Sequence, residues 1–276
     1  MAFRINTLEE YWEAYEESVA NPEGFWADIA QTFTWRKPWE KVLEWNFQEP
    51  DIKWFLGAKL NITENCLDRH LTTRGDQAAI IFEPNDPNAV VCTYTYKELH
   101  AAVCKTANAL KANGIGKGDR VCFYMPMVPE LAIGLLACAR IGAIHSVVFA
   151  GFSASSLADR IIDAACKMVI CSDYNDRGAK HIPVKQVVDE AIGLGCKSVE
   201  TVLVHKNTGG QIKWVDAAHE PFWVPHPLRG KPVALGRRRA FPHLPASFRI
   251  SSASLYLPKF NPRNPDSSIT YSKNRP

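Results

Sequence analysis

The chain has 276 residues, 46% of them apolar and 22% charged. That is ordinary globular usage; it excludes a chain disordered throughout, and no fixed period marks a repeat array. The net charge of +3 divides unevenly: residues 1–216 carry 22 Lys+Arg against 27 Asp+Glu, while residues 217–276 carry 10 against only Glu220 and Asp266. The same last sixty residues hold 10 of the 18 prolines, so two compositions meet near Asp216.

Residues 1–54 contain Trp12, Trp26, Trp35, Trp39, Trp45 and Trp54. Thr7 followed by Glu10 predicts a helix start over Leu8 to Val19. The rest of this stretch shows no long period and reads as an irregular, aromatic wrapping arm that lays its rings on another surface.

From Thr95 onward helices and strands alternate. Thr95 and Glu98 form a capping box for a helix through Leu99, Val103, Ala107 and Leu110, ending at Gly114. Asp119 to Met125 reads as a strand, ended by Pro126, and Pro129 opens a helix to about Arg140. Ala143 to Phe149 is a second strand. Ser153 or Ser155 caps a helix through Ile162, Lys167 to Cys171 is a third strand, Val184 to Ile192 a helix, and Val199 to Val204 a fourth strand. Apolar strands separated by helices of this length imply right-handed βαβ crossovers, hence an α/β fold with a mostly parallel sheet and flanking helices. Ligands on such sheets sit at the carboxyl ends of strands, which directs attention to the loops after Phe149 and Cys171. Beyond Asp216 prolines interrupt every period, and residues 217–276 read as a disordered tail.

Neither common phosphate loop, G-x-G-x-x-G or G-x-x-x-x-G-K-[ST], occurs. Ile115-Gly116-Lys117-Gly118-Asp119 reads as a structural turn. Phe149 to Ser153 lacks the second glycine of a hydrolase nucleophile elbow, and His145 falls mid-strand, so a Ser-His-Asp site is not assigned. Gly151 at the strand's end would let a ligand approach the backbone, but from the sequence a tight turn is the favoured reading. Arg177 and Lys180 flank Gly178 and Ala179, a spacing that can clasp an anion, although exposed Arg/Lys pairs are usually solvated surface. Arg237-Arg238-Arg239 reads as a basic face of the tail, so nucleic-acid binding is not expected. The eight cysteines include no C-x-x-C pair and read as buried free thiols, with no metal site. The N-terminus has neither an apolar signal core nor presequence character, so a cytoplasmic location is expected, and Asn61-Ile62-Thr63 is not read as a glycan acceptor. The longest apolar run, Leu131 to Ala139, is far short of the ~20 residues of a membrane helix.

Taken together, Trp54 to His70 (WFLGAKLNITENCLDRH), Gly118 to Glu130 (GDRVCFYMPMVPE) and Ala137 to Ser153 (ACARIGAIHSVVFAGFS) resemble the AMP-forming acetate–CoA ligases of the adenylate-forming superfamily. The likeness spans about residues 8–216, and residues 11–30 (YWEAYEESVANPEGFWADIA) are similar to the N-terminal arm of synthetases for short acids. The resemblance implies three parts: an arm at 1–70, an incomplete N-terminal part of the large adenylate-forming domain at 71–216, and a tail at 217–276 foreign to the family. It implies acetate, ATP, Mg and CoA as reactants, with acetyl-adenylate as the intermediate. Arg177, Gly178, Ala179 and Lys180 match the segment that holds the 3′-phosphate end of CoA, with Lys180 where many members have arginine. Ala150 and Gly151 match a Gly-Gly beside the CoA chain. The family's ATP loop ends in Lys-Pro-Lys-Gly; here the corresponding stretch, 247–260, reads SFRISSASLYLPKF and does not match. The expectation is therefore an N-terminal fragment without ATP or Mg sites, with no catalytic residue, inactive in adenylation by itself. The open alternatives are a non-catalytic CoA-binding module and a basic tail that binds nucleic acid.

Overall fold

The computed structural model describes residues 4–86, 88–178 and 180–212, together with the backbone of a strand at 234–237. In the arm, the Thr7 hydroxyl accepts the Glu10 amide at 3.2 Å and opens α1 (Leu8–Ala20). Asn21 ends α1 through its amide and starts α2 (Pro22–Gln31) through its side chain, which accepts the Gly24 amide at 3.1 Å. A hairpin follows, β1 (Lys41–Asn46) against β2 (Asp51–Leu56), antiparallel with Leu43 opposite Trp54. The arm is thus regular where the sequence reads as irregular. Asn21-Pro22 is a compact helix-start signal, and the two strands are too short to show a period in an aromatic background. Its rings pack mainly on one another: Trp35, Trp39 and Phe55 form a cluster with centroids 5.3–5.5 Å apart. Trp12, Trp26, Trp45 and Trp54 remain exposed.

Residues 61–74 join the arm to the sheet through α3 (Ile62–Cys66), a 3-10 turn (Asp68–His70) and α4 (Leu71–Arg74). Asn65 bonds both the amide and the carbonyl of Thr34, at 2.7 and 3.0 Å. The Asn61 side chain caps α3 and donates to the carbonyls of Ala139 and Arg140, so its role here is structural. Arg140 grips Asp68 with two 2.8 Å bonds, and the guanidinium holds that carboxyl below the usual carboxylate range. A carboxyl depressed in the folded state contributes stability above its unfolded pKa and loses it as pH falls through the folded value. Arg140→Met is therefore expected to cost about 1–2 kcal/mol near neutral pH, a modest figure because both groups are partly solvated. In urea titrations at pH 7 and about pH 3 the cost should shrink in acid; an equal cost at both would remove the carboxylate from the account.

A second hairpin, β3 (Ala78–Phe82) with β4 (Cys92–Thr95), leads into the expected capping box. Thr95 Oγ1 accepts the Glu98 amide at 3.2 Å, and the Glu98 carboxylate accepts the Thr95 amide at 2.8 Å. The helix α5 (Tyr96–Ala112) follows. Then come β5 (Arg120–Tyr124), α6 (Pro129–Ile141), β6 (Ile144–Val147), α7 (Ala154–Asp163) and β7 (Met168–Ser172). A small hairpin, β8 (Asn175–Arg177) with β9 (Lys180–Ile182), precedes α8 (Val184–Gly193) and β10 (Thr201–His205). Ser153, of the two candidates, caps α7 by accepting the Ser156 amide.

The central sheet runs β10-β7-β5-β6, all parallel, as the alternation of strands and helices predicts. An additional edge strand, β11 (Ala234–Arg237), pairs antiparallel with β10. It lies in the stretch whose composition predicts no element. The nine residues between Pro232 and Pro242 are proline-free and long enough for a short edge strand. The rest of the segment read as a tail, including Arg238 and Arg239, lies outside the described residues.

Alternate strand residues separate the two faces. Val121, Phe123, Met168, Ile170 and Leu203 pack with α5 and α6. Cys122, Tyr124, Val169, Cys171, Val202 and Val204 pack with α7 and α8. All eight cysteines are free and six are buried; burial pushes the Cys171 thiol up to about 12. Among the described residues no helix is long and apolar enough to cross a membrane. Nor does any group of three His, Cys, Asp or Glu side chains among them form a metal cluster.

Candidate functional site

In chain order the four parallel strands lie 4-3-1-2, so the connections leave in opposite directions from β5 and β7. Such a switch opens a crevice at the carboxyl ends of the strands. A cavity of about 570 Å³ lies there, lined by Tyr124, Gly151, Phe152, Arg177, Lys180, Ile182 and Val187. Among the described residues that line it there is no acid.

The hairpin β8–β9 supplies the cations. Arg177 stands opposite Lys180 in its register, so both project from one face, while Asp176 and His181 form the next pair on the other. The turn between them needs a left-handed residue: Gly178 has φ +58°, and a Cβ there would meet nothing within 4 Å. On the opposite face the Tyr174 ring stacks on His181 with centroids 4.3 Å apart, and His181 Nδ1 lies 2.5 Å from Asp176 Oδ1. Asn85 donates to the Asp176 carbonyl at 2.8 Å, and Tyr174 donates its hydroxyl to the Gln211 carbonyl at 2.9 Å.

Asp173, the first residue after β7, anchors the base of the hairpin. Its side chain is nearly fully buried and accepts four backbone amides. Oδ1 takes those of Tyr174, Asn207 and Thr208 at 2.7, 2.8 and 3.2 Å, and Oδ2 takes that of Gly209 at 2.8 Å. One carboxylate thereby ties the loop after β10 to the start of the hairpin.

The loop after β6 supplies the aromatic wall. Phe149 and Phe152 meet edge to face with centroids 5.9 Å apart. The Arg177 guanidinium sits 5.8 Å from the Phe149 ring centre. Tyr124 donates its hydroxyl to the Phe152 carbonyl at 2.7 Å, fixing the loop on the end of β5, and burial raises its phenol pKa. Gly151 permits this fold of the loop, because a Cβ there would lie 2.6 Å from the Phe149 ring.

Of the residues singled out in the sequence, Arg177, Lys180 and Gly151 meet in the cavity, although they come from two loops. Gly178 forms the turn between Arg177 and Lys180, Ala150 is buried in the core, and Ala179 lies outside the described residues. The Ser153 hydroxyl bonds Ser155 Oγ and the Ser156 amide, a helix cap rather than a nucleophile, and His145 is exposed on the edge strand. Ile115 to Asp119 lies at the amino end of β5, where the Gly116 amide and Lys167 hold the Asp119 carboxyl below its usual range. Tyr124, Phe152 and Asp173 were not singled out. The signal for each was position at the carboxyl end of a strand.

The fold and the cavity define a mostly parallel, doubly wound α/β protein with a cationic crevice at its switch point. The AMP-binding enzyme family matches residues 67–236, and the acetyl-coenzyme A synthetase N-terminus matches residues 11–66. The chain belongs to the family of AMP-binding enzymes. It is 50% identical over 210 residues to acetyl-coenzyme A synthetase 2 of Pseudomonas putida, covering 76% of this chain and 32% of that protein. It is 48% identical over 218 residues to acetyl-coenzyme A synthetase of Vibrio cholerae, covering 78% of this chain and 33% of that protein. Among solved structures it is similar to acetoacetyl-CoA synthetase from Streptomyces lividans, with a TM-score of 0.67 and 26% identity, covering 77% of this chain and 32% of that one. The chain thus spans about a third of the length of the relatives it matches.

Proposed function

We propose that this chain carries the CoA-binding part of an AMP-forming acetate–CoA ligase. The observation that carries this reading is the meeting of Arg177, Lys180 and Gly151, from two separate loops, in one cavity at the strand ends whose described lining holds no acid. CoA brings phosphate groups and, in the whole reaction, the thiol that attacks acetyl-adenylate. The residues present fit the phosphates. Arg177 offers a planar fork, Lys180 a point charge, and Gly151 a backbone without a side chain in the way. The cavity volume lies within the range of small-molecule sites.

Adenylation is a separate matter. Acetate, ATP and Mg enter that half of the reaction, and the 247–260 stretch that would supply the ATP loop does not match the family's pattern. The chain by itself is proposed to bind CoA without forming acetyl-adenylate, in a cytoplasmic setting. Calorimetry on the full chain tests this. Saturable CoA binding, weaker for 3′-dephospho-CoA, is the expected result. No heat of binding from folded protein would overturn it, and acetate-dependent ATP–pyrophosphate exchange would overturn the adenylation half.

A further inference from the structure

Arg160 is not among the residues that line this cavity, but it lies over one of them. It lies on α7, where its guanidinium carbon sits 4.9 Å from the centre of the Phe152 ring. Phe152 lines the cavity. Nη1 is steered by the Ser156 carbonyl at 2.8 Å and the Ser156 hydroxyl at 2.7 Å, so the side chain is folded back toward the start of its helix. The arrangement on the other side is similar, with Arg177 over Phe149 and Phe149 against Phe152. Two touching rings therefore carry an arginine at each end, one belonging to the hairpin and one to α7. A guanidinium on an aromatic face keeps in-plane donors for an anion while its position is fixed by the ring.

We infer that Arg160 binds a second phosphate of the ligand, separate from the one held by Arg177 and Lys180. A single phosphate needs one cationic pole. Two poles separated by a pair of rings suit a ligand with two anionic groups held apart, and CoA offers a diphosphate as well as its 3′-phosphate. This rests on the CoA reading above and assigns the diphosphate to the α7 side.

The test compares CoA with 3′-dephospho-CoA on the full chain by calorimetry. Arg160→Met keeps an apolar stem over Phe152 and removes the charge; Arg160→Lys keeps the charge. Arg160→Met should weaken both ligands by the same factor, about tenfold for one lost charge-assisted contact, while Arg160→Lys recovers part of it. Arg177→Ala should weaken CoA and leave 3′-dephospho-CoA nearly unchanged. Thermal melts check that each variant is folded. If folded Arg160→Met binds both ligands as the parent does, Arg160 is a surface residue of the helix and the inference falls alone. If its effect disappears with 3′-dephospho-CoA, Arg160 serves the 3′-phosphate and the assignment to the diphosphate falls. If the folded parent binds neither ligand, the CoA reading falls and takes this one with it.

Discussion

Asp173→Ala is expected to lower the unfolding free energy by about 3 kcal/mol. The carboxylate is buried and accepts four amides, three of them from residues 207–209. An alanine leaves those donors facing a void. Water entering the void can repair some of them, so the cost stays well below four full desolvation penalties. Asp173→Asn should fall between, since its amide keeps one acceptor oxygen and turns a donor toward another donor. Equilibrium urea denaturation followed by tryptophan fluorescence gives the measurement; a loss below about 1 kcal/mol would show that the loop is held by other contacts. The same substitution should weaken CoA binding, because the hairpin bearing Arg177 and Lys180 springs from this anchor.

Removing both cations, Arg177→Ala with Lys180→Ala, should raise the CoA dissociation constant about 100-fold, the sum of two charge-assisted contacts. Both side chains are exposed and lie on either side of the turn at Gly178, so stability should change little. Lys180→Arg should act in the opposite direction, since a fork can take two oxygens where an ammonium takes one. Binding measured at two ionic strengths supplies the control: the parent should lose affinity in salt and the double variant should lose much less. A double variant with parental affinity would detach the hairpin from ligand binding.

How much of this was legible depended on element length. The capping box at Thr95 and Glu98, the apolar strands around Val121 and Val169, and the helix cap at Ser153 are signals carried within a few residues, and each appears where expected. Hairpins escaped. The strands β8 and β9 are three residues each, too short for alternation to be visible, yet they set Arg177 opposite Lys180. The edge strand β11 escaped because a four-residue strand in a nine-residue gap between prolines is hidden by the proline-rich background. In the arm, aromatic residues predict burial against a partner surface, whereas Trp35, Trp39 and Phe55 satisfy one another.

By itself the sequence determined the alternation of strands and helices, the parallel sheet, and the two loops at strand ends, because periodicity and capping are local properties of the chain. It also carried the family likeness, through long uninterrupted stretches. Only the tertiary structure decided that Gly151 and Arg177 share one cavity, that Asp173 gathers amides from residues more than thirty positions away, and that Arg160 and Arg177 lie over two rings in contact. Those relations depend on which strands become neighbours at the switch between β5 and β7. Strand order is set by packing across the whole sheet, and no local pattern encodes it.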